Sequence, residues 1–333
     1  MKTVLLSLKI TCISLFFVQM ASAKVWRVNN NTGVHADFTQ VTTAVSSPLV
    51  QEGDTIYIEP SPTQYTGATP QKRLVFIGAG YFLSENTGLQ YNTNDSRITS
   101  FTIDSLASGS SFFGIRSNLV FVSSNADNIT FSRCHISFAT SVSFANSLMS
   151  NWIINKCYVL QFAFNNAAYV FENLQFTNSI VFQSFNLANC INGLVRNNIL
   201  LGGVTMNNTY ATNNIFATAS SLNFTNCTVK YNISTSNNLP AGNNNQVSVP
   251  QASLFILTGS TDARYQLAAG SPAIGAGEPI NGETPDCGPF GTADPYRLSG
   301  IPAIPAIYEL QVPPSIPSSA TTMQVTISTR SNN

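Results

Sequence analysis

Short alternations of apolar and polar residues run through most of this chain, and in its middle they repeat. Six segments align: ITFSRCHI at 129–136, WIINKCYV at 152–159, LQFTNSIV at 174–181, GLVRNNIL at 193–200, TYATNNIF at 209–216 and CTVKYNIS at 227–234. With Cys134, Cys157, Ser179, Asn198, Asn214 and Asn232 as equivalent positions, the steps are 23, 22, 19, 16 and 18 residues. Each unit reads as a strand, a tight bend at a polar pair, and a second strand. In the first unit the two-residue period turns Ile129, Phe131 and Ile136 inward and Thr130, Ser132 and His135 outward. One unit cannot bury a core by itself. Stacked about 4.8 Å apart, units convert their inward rows into continuous ladders and pair each backbone group with the next coil. The pattern predicts an all-β fold, a right-handed parallel β-helix over residues 24–300.

Asparagine crowds the bends, as at Asn197, Asn198, Asn213 and Asn214. It tolerates left-handed backbone angles and hydrogen-bonds through its amide. The aligned series from Cys134 to Asn232 reads as an inward ladder in which two free, stacked thiols replace asparagine at one end. The row just after it, His135, Tyr158, Ile180, Ile199, Ile215 and Ile233, points outward yet turns apolar. An apolar stripe of this kind needs a cover. Residues 301–329, with Ile301, Ile304, Ile307, Leu310 and Val312, are expected to lie over Ile180, Ile199 and Ile215.

At the start of the repeat region, ADFTQVTTAV at 36–45 sets Phe38, Val41, Thr42 and Val45 at helical spacing behind Asp37, a candidate N-cap. A short capping helix is expected there, then a strand in GDTIYIEPS at 53–61. After Pro302 the chain becomes Pro-rich and ends on TTMQVTISTR, so 301–333 reads as an extended or β tail packed on the solenoid, too short for a domain.

The cap and first strand resemble those of the pectin-lyase-like superfamily of right-handed β-helices. LVFIGAGYFLSEN at 74–86 is similar to a segment of uncharacterised exported β-helix proteins of the Bacteroidetes type. YQLAAGSPAIGAG at 265–277 and DCGPFG at 286–291 resemble the closing turn of that group, and DPYRLSGIPAIPAIYELQVP at 294–313 is similar to the stretch after that turn. The resemblance implies the fold; it does not imply one activity.

Composition adds a destination. Lys2 and Lys9 precede an apolar run that ends on Ala21, Ser22 and Ala23, so 1–23 reads as a signal peptide cleaved after Ala23. No other run approaches the roughly 20 apolar residues of a membrane span. The mature chain is expected to be secreted or held at the cell surface, as a monomer. Lys plus Arg and Asp plus Glu are both 15, which gives no electrostatic pull towards nucleic acid.

Candidate chemistry is sparse. Members of the superfamily include polysaccharide lyases and hydrolases, which need carboxylate clusters or pairs. From 129 to 245 the one acid is Glu172, with Asp127 just outside. No catalytic, metal or cofactor residues are assigned, and the reading leans away from an enzyme. Arg133, Lys156, Arg196 and Lys230 recur near the bend. Tyr158, Arg196 and Lys230 are the candidate glycan contacts, and polysaccharide or another surface component is the expected partner. A lyase or hydrolase, or a purely structural surface protein, are the alternatives.

Overall fold

The computed structural model describes residues 23–140, 147–164, 168–218 and 221–331. The expected leader, apart from Ala23, lies outside the described residues. The fold is an all-β parallel solenoid of about nine turns. Sheet A has ten strands, from Val25–Val28 to Thr228–Lys230, and sheet B has eleven. Sheet C has three: Ser147–Ser150, Tyr169–Glu172 and Cys190–Ile191. A central coil runs through Ile153–Asn155 in A, Tyr158–Phe164 in B and Tyr169–Glu172 in C, and returns to A at Gln175–Thr177.

The coils stack in register as the repeat predicts. Phe131, Ile154, Phe176, Val195, Ala211 and Val229 form one inward row of sheet A and are all buried. The same row runs back through Phe112 and Phe76 to Ile56 and Trp26. Phe76 on Phe112 and Phe112 on Phe131 stack with centroids 4.9 and 4.5 Å apart. Girth follows the repeat length. The step of 16 residues between Asn198 and Asn214 leaves no room for a sheet C strand, and the inward row shrinks from Phe176 through Val195 to Ala211.

The polar ladder is present and longer than the aligned units show. Cys134 N donates to Cys157 Sγ (3.4 Å), Cys157 N to Ser179 Oγ (3.0 Å) and Ser179 N to Asn198 Oδ1 (2.9 Å). It continues through Asn214 and Asn232 to Asn245 at 2.9 to 3.0 Å. The amides of Asn198, Asn214 and Asn232 also donate back to Phe176 O, Val195 O and Ala211 O. Cys134, Cys157, Cys190, Cys227 and Cys287 are free thiols.

The N-terminal helix, α1, is shorter than expected, Val41–Ser46. Asp37 does not cap it. Its carboxylate accepts from Arg27 N, and Phe38 bridges to Val28, because residues 36–39 pair with the strand Val25–Val28 before the helix can start. Val41, Ala44 and Val45 plug the first coil.

A second correction concerns the cover of the apolar row. Ile180, Ile199, Ile215 and Ile233 are buried, but not beneath residues 301–329. They pack with Leu254, Phe255, Tyr265, Ala273, Cys287 and Tyr296, which belong to an irregular strap over 249–300. Beyond it, Ala306–Gln311 and Thr326–Arg330 form an antiparallel pair, with Ile307, Val312 and Ile327 exposed. The hairpin is tied instead to the loop at 89–91, where Tyr91 N donates to Ile307 O and Arg330 to Leu89 O.

Candidate functional site

Two columns of left-handed residues run along the solenoid. At the A-to-B bend they are Arg133, Lys156, Asn178, Asn197, Asn213 and Tyr231; at the corner entering sheet A they are Asn128, Asn151, Asn173, Asn192, Asn208 and Asn226. Between the columns lie the outward rows of sheet A, the open face of the molecule.

The bend column belongs to the strap. Gly288 N donates to Asn213 O (2.8 Å), Glu278 N to Asn213 Oδ1 (2.7 Å) and Cys287 Sγ to Tyr231 O (3.3 Å). Farther along, Lys156 forms an ion pair with Asp294, and Arg133 donates to Ile301 O at 2.9 Å. Gly300 adopts φ 55° and lies against the Tyr81 ring and Arg133 O, where any Cβ would collide. Thus the cations near the bend are not an open stripe. Lys230 too is taken: its Nζ is 2.6 Å from Glu278 Oε1. Tyr210 Oη donates to both Glu278 oxygens (2.8 and 2.7 Å) and Thr212 Oγ1 to one of them (3.1 Å). Burial opposes the Glu278 charge, but these donors, Lys230 first, outweigh it and lower its pKa; the hydrogen bonds to Glu278 and Tyr210 raise that of Lys230.

The three proposed contacts therefore do not form one site. Tyr158 leaves sheet B outward as expected, but it is 2% exposed beneath Phe82 and the strap, so it cannot stack on a ligand. Arg196 and Lys230 share a row of sheet A with Thr212 between them. Lys230 is neutralised, and Arg196 is half-buried with its Nε lacking a hydrogen-bond partner. The outward positions of Tyr57 and Tyr210 are legible from the alternation in TIYI and TYAT; Tyr57 lies in the same row as Arg196 and Lys230, many coils away, and Tyr210 in the row of Leu194 and Thr228.

The structure also brings two carboxylates into one column. Asp127 Oδ1 accepts from Ser150 N (2.8 Å), and Ser150 Oγ donates to Glu172 Oε2 (3.1 Å). Two coil steps separate them, roughly 10 Å. Among the described residues no three His, Cys, Asp or Glu side chains are grouped to ligate a metal.

The corner column beside them is bare. All six asparagines are exposed. Asn192 Nδ2 donates to Asn173 Oδ1 (2.8 Å), Asn173 to Asn151 (3.2 Å) and Asn151 to Asn128 (3.1 Å). Each amide in this chain keeps a further N–H and a lone pair for solvent or ligand. Next to it runs the row Thr130, Ile153, Gln175, Leu194, Tyr210 and Thr228, without a formal charge.

No family model matches the sequence, and no curated protein matches it.

Proposed function

We propose that the protein is an exported, non-enzymatic β-solenoid, akin to the pectin-lyase-like superfamily, that holds an uncharged polysaccharide along the corner asparagines and the adjoining face of sheet A. The exposed amide column carries this reading. It offers hydrogen-bond donors and acceptors at about 4.8 Å intervals, close to the rise of an extended sugar chain, while Lys230 on the same face is already paired with Glu278. Ile153, Leu194 and Tyr210 supply the apolar contacts that sugar faces need. Affinity electrophoresis through neutral and acidic polysaccharides tests it. Retardation by a neutral polymer is expected, weakened in the double variant Thr130→Ala, Gln175→Ala, whose two positions both point outward from sheet A. If no polymer retards the protein, a purely structural role stands instead.

The Asp127 and Glu172 column favours a second reading, an inverting glycoside hydrolase. Such enzymes separate their carboxyl groups by about 6.5–9.5 Å, and both of these side chains reach Ser150 on the coil between them, which draws the carboxyl groups closer than the spacing of their backbones. Release of reducing ends, abolished by Glu172→Gln, would establish the hydrolase and displace the binding reading.

A further inference from the structure

We propose that the loop at 79–86 and residues 296–301, where the strap gives way to the tail, form an acid-sensitive latch, opened by protonation of His135, which uncovers the Tyr158 end of the apolar row. In register along sheet B the row runs Arg97, Arg116, His135, Tyr158 and Ile180. His135 therefore stands between a cation and the apolar stripe. It is 6% exposed, and neither ring nitrogen has a hydrogen-bond partner. Its ring lies 4.8 Å from Phe82, 5.6 Å from Tyr81 and 5.3 Å from Tyr158, centroid to centroid. A buried polar ring with no partner calls for an explanation beyond packing.

Aromatic walls can hold a cation, but here that place is filled. The Arg116 guanidinium lies 5.7 Å from the Phe82 ring centroid and is paired with Asp95 at 2.7 Å. The other charged groups near this junction are Glu85, Asp262 and Arg264, which influence Tyr158. Asp262 is committed to Asn86, Ser260, Tyr296 Oη and Ser299 N. None of these acids accepts from the imidazole.

The lid over His135 is joined to the strap and moves with it. Tyr81 N donates to Ser299 O (2.8 Å), Ser299 Oγ to Phe82 O (3.1 Å), and the hydroxyls of Tyr81 and Tyr296 are 2.5 Å apart. Burial first, and then Arg116, push the His135 pKa down to about 3 in the closed state. Once opened, the imidazole returns towards about 6.5. The open form then binds the proton more tightly, so closure is complete above that value and weakens as pH falls towards the closed-state one. Between them the ratio of open to closed should rise about tenfold per pH unit.

Hydrogen exchange of segments 79–86 and 296–301, corrected for intrinsic rates, tests this from pH 7.5 to 4.5. The intact protein should open about tenfold more per unit below about 6.5. His135→Phe, and His135→Gln as a second variant should the first not fold, should remove that slope, while Asp262→Asn should keep it. A flat profile in the intact protein, the same slope without His135, or a slope lost with Asp262 would each overturn the latch.

Discussion

The two asparagine-bearing columns use one backbone device and meet opposite fates. Both place a residue in the left-handed region once per coil, at φ 50–57° for the bend and 46–59° for the corner. The bend is followed by Tyr158, Ile180, Ile199, Ile215 and Ile233, and 249–300 lies over it. The corner is flanked by Asp127, Ser150, Glu172 and Thr130, and solvent reaches it. The turn geometry is therefore silent about exposure, which the adjoining row decides. It also explains why Arg133 and Lys156 stand at bend positions where the corner has asparagine: their long side chains reach the strap.

The sharpest way to break this contrast is to remove the cover. Ending the chain at Val249 bares four isoleucines, each worth about 1.5–3 kcal/mol when buried, so a loss of more than about 6 kcal/mol is expected, with aggregation and dye binding. Ending it at Pro302 removes only the hairpin and should move Tm by no more than about 3 °C. If calorimetry ranks the two truncations the other way, the tail and not the strap is the cover.

Next in size is the inward ladder against the exposed one. Asn214→Ala forfeits the acceptor for Asn198 N and donors to Val195 O and Asn232 Oδ1. Buried orphan groups cost about 1–3 kcal/mol each, so a loss of about 3 kcal/mol is expected in urea unfolding. Asn173→Ala breaks solvent-exposed bonds and pays mainly for left-handed φ, about 1–2 kcal/mol. Equal losses at the two sites would mean that the corner ladder is structural to the same degree.

A smaller effect separates an anchor of the strap from a cap elsewhere on the surface. Asp294→Ala leaves Lys156, 5% exposed, without its carboxylate, and should cost about 1–3 kcal/mol. Replacing Asp104, which caps the turn at Leu106 N on the surface, should cost about 1 kcal/mol. The weakest expected signal is chemical. In the native protein an alkylating reagent should reach Cys227, which is partly exposed, well before Cys134, Cys157, Cys190 or Cys287, which are buried. Burial also raises the Cys157 pKa and pushes that of Cys287 up to about 12. Peptide mapping after brief labelling would show the order.

The inward half of the molecule was legible because it obeys a period. Ile129, Phe131 and Ile136 were placed in the core from alternation alone, and all are buried. The ladder from Cys134 to Asn232 was legible for the same reason; its last rung, Asn245, was missed because the 13-residue step from Asn232 departs from the repeat. What the sequence concealed is what lies outside the coils. Tyr158 was expected to be exposed because alternation reports the side of a sheet and not what covers it. The strap has no period, and its contacts fall on residues such as Asp262, Asp294 and Gly300 that read locally as turns. The Asp127 and Glu172 column needed the coil register, since the two acids lie 45 residues apart.

The strap imposes an order of events on folding. Ladder bonds join residues 13 to 23 apart in sequence, so each coil can form on its predecessor soon after it becomes available. The clasp between Tyr81 and Tyr296 spans 215 residues, and Ser299 to Phe82 spans 217. Loop-closure entropy must be met for these contacts before they return anything. The coils should zip first, leaving a nearly complete cylinder whose oily seam stays unsealed until the last quarter of the chain doubles back. During that interval a nascent molecule is most prone to adhere to its neighbours, and the rate of sealing sets how long the hazard lasts.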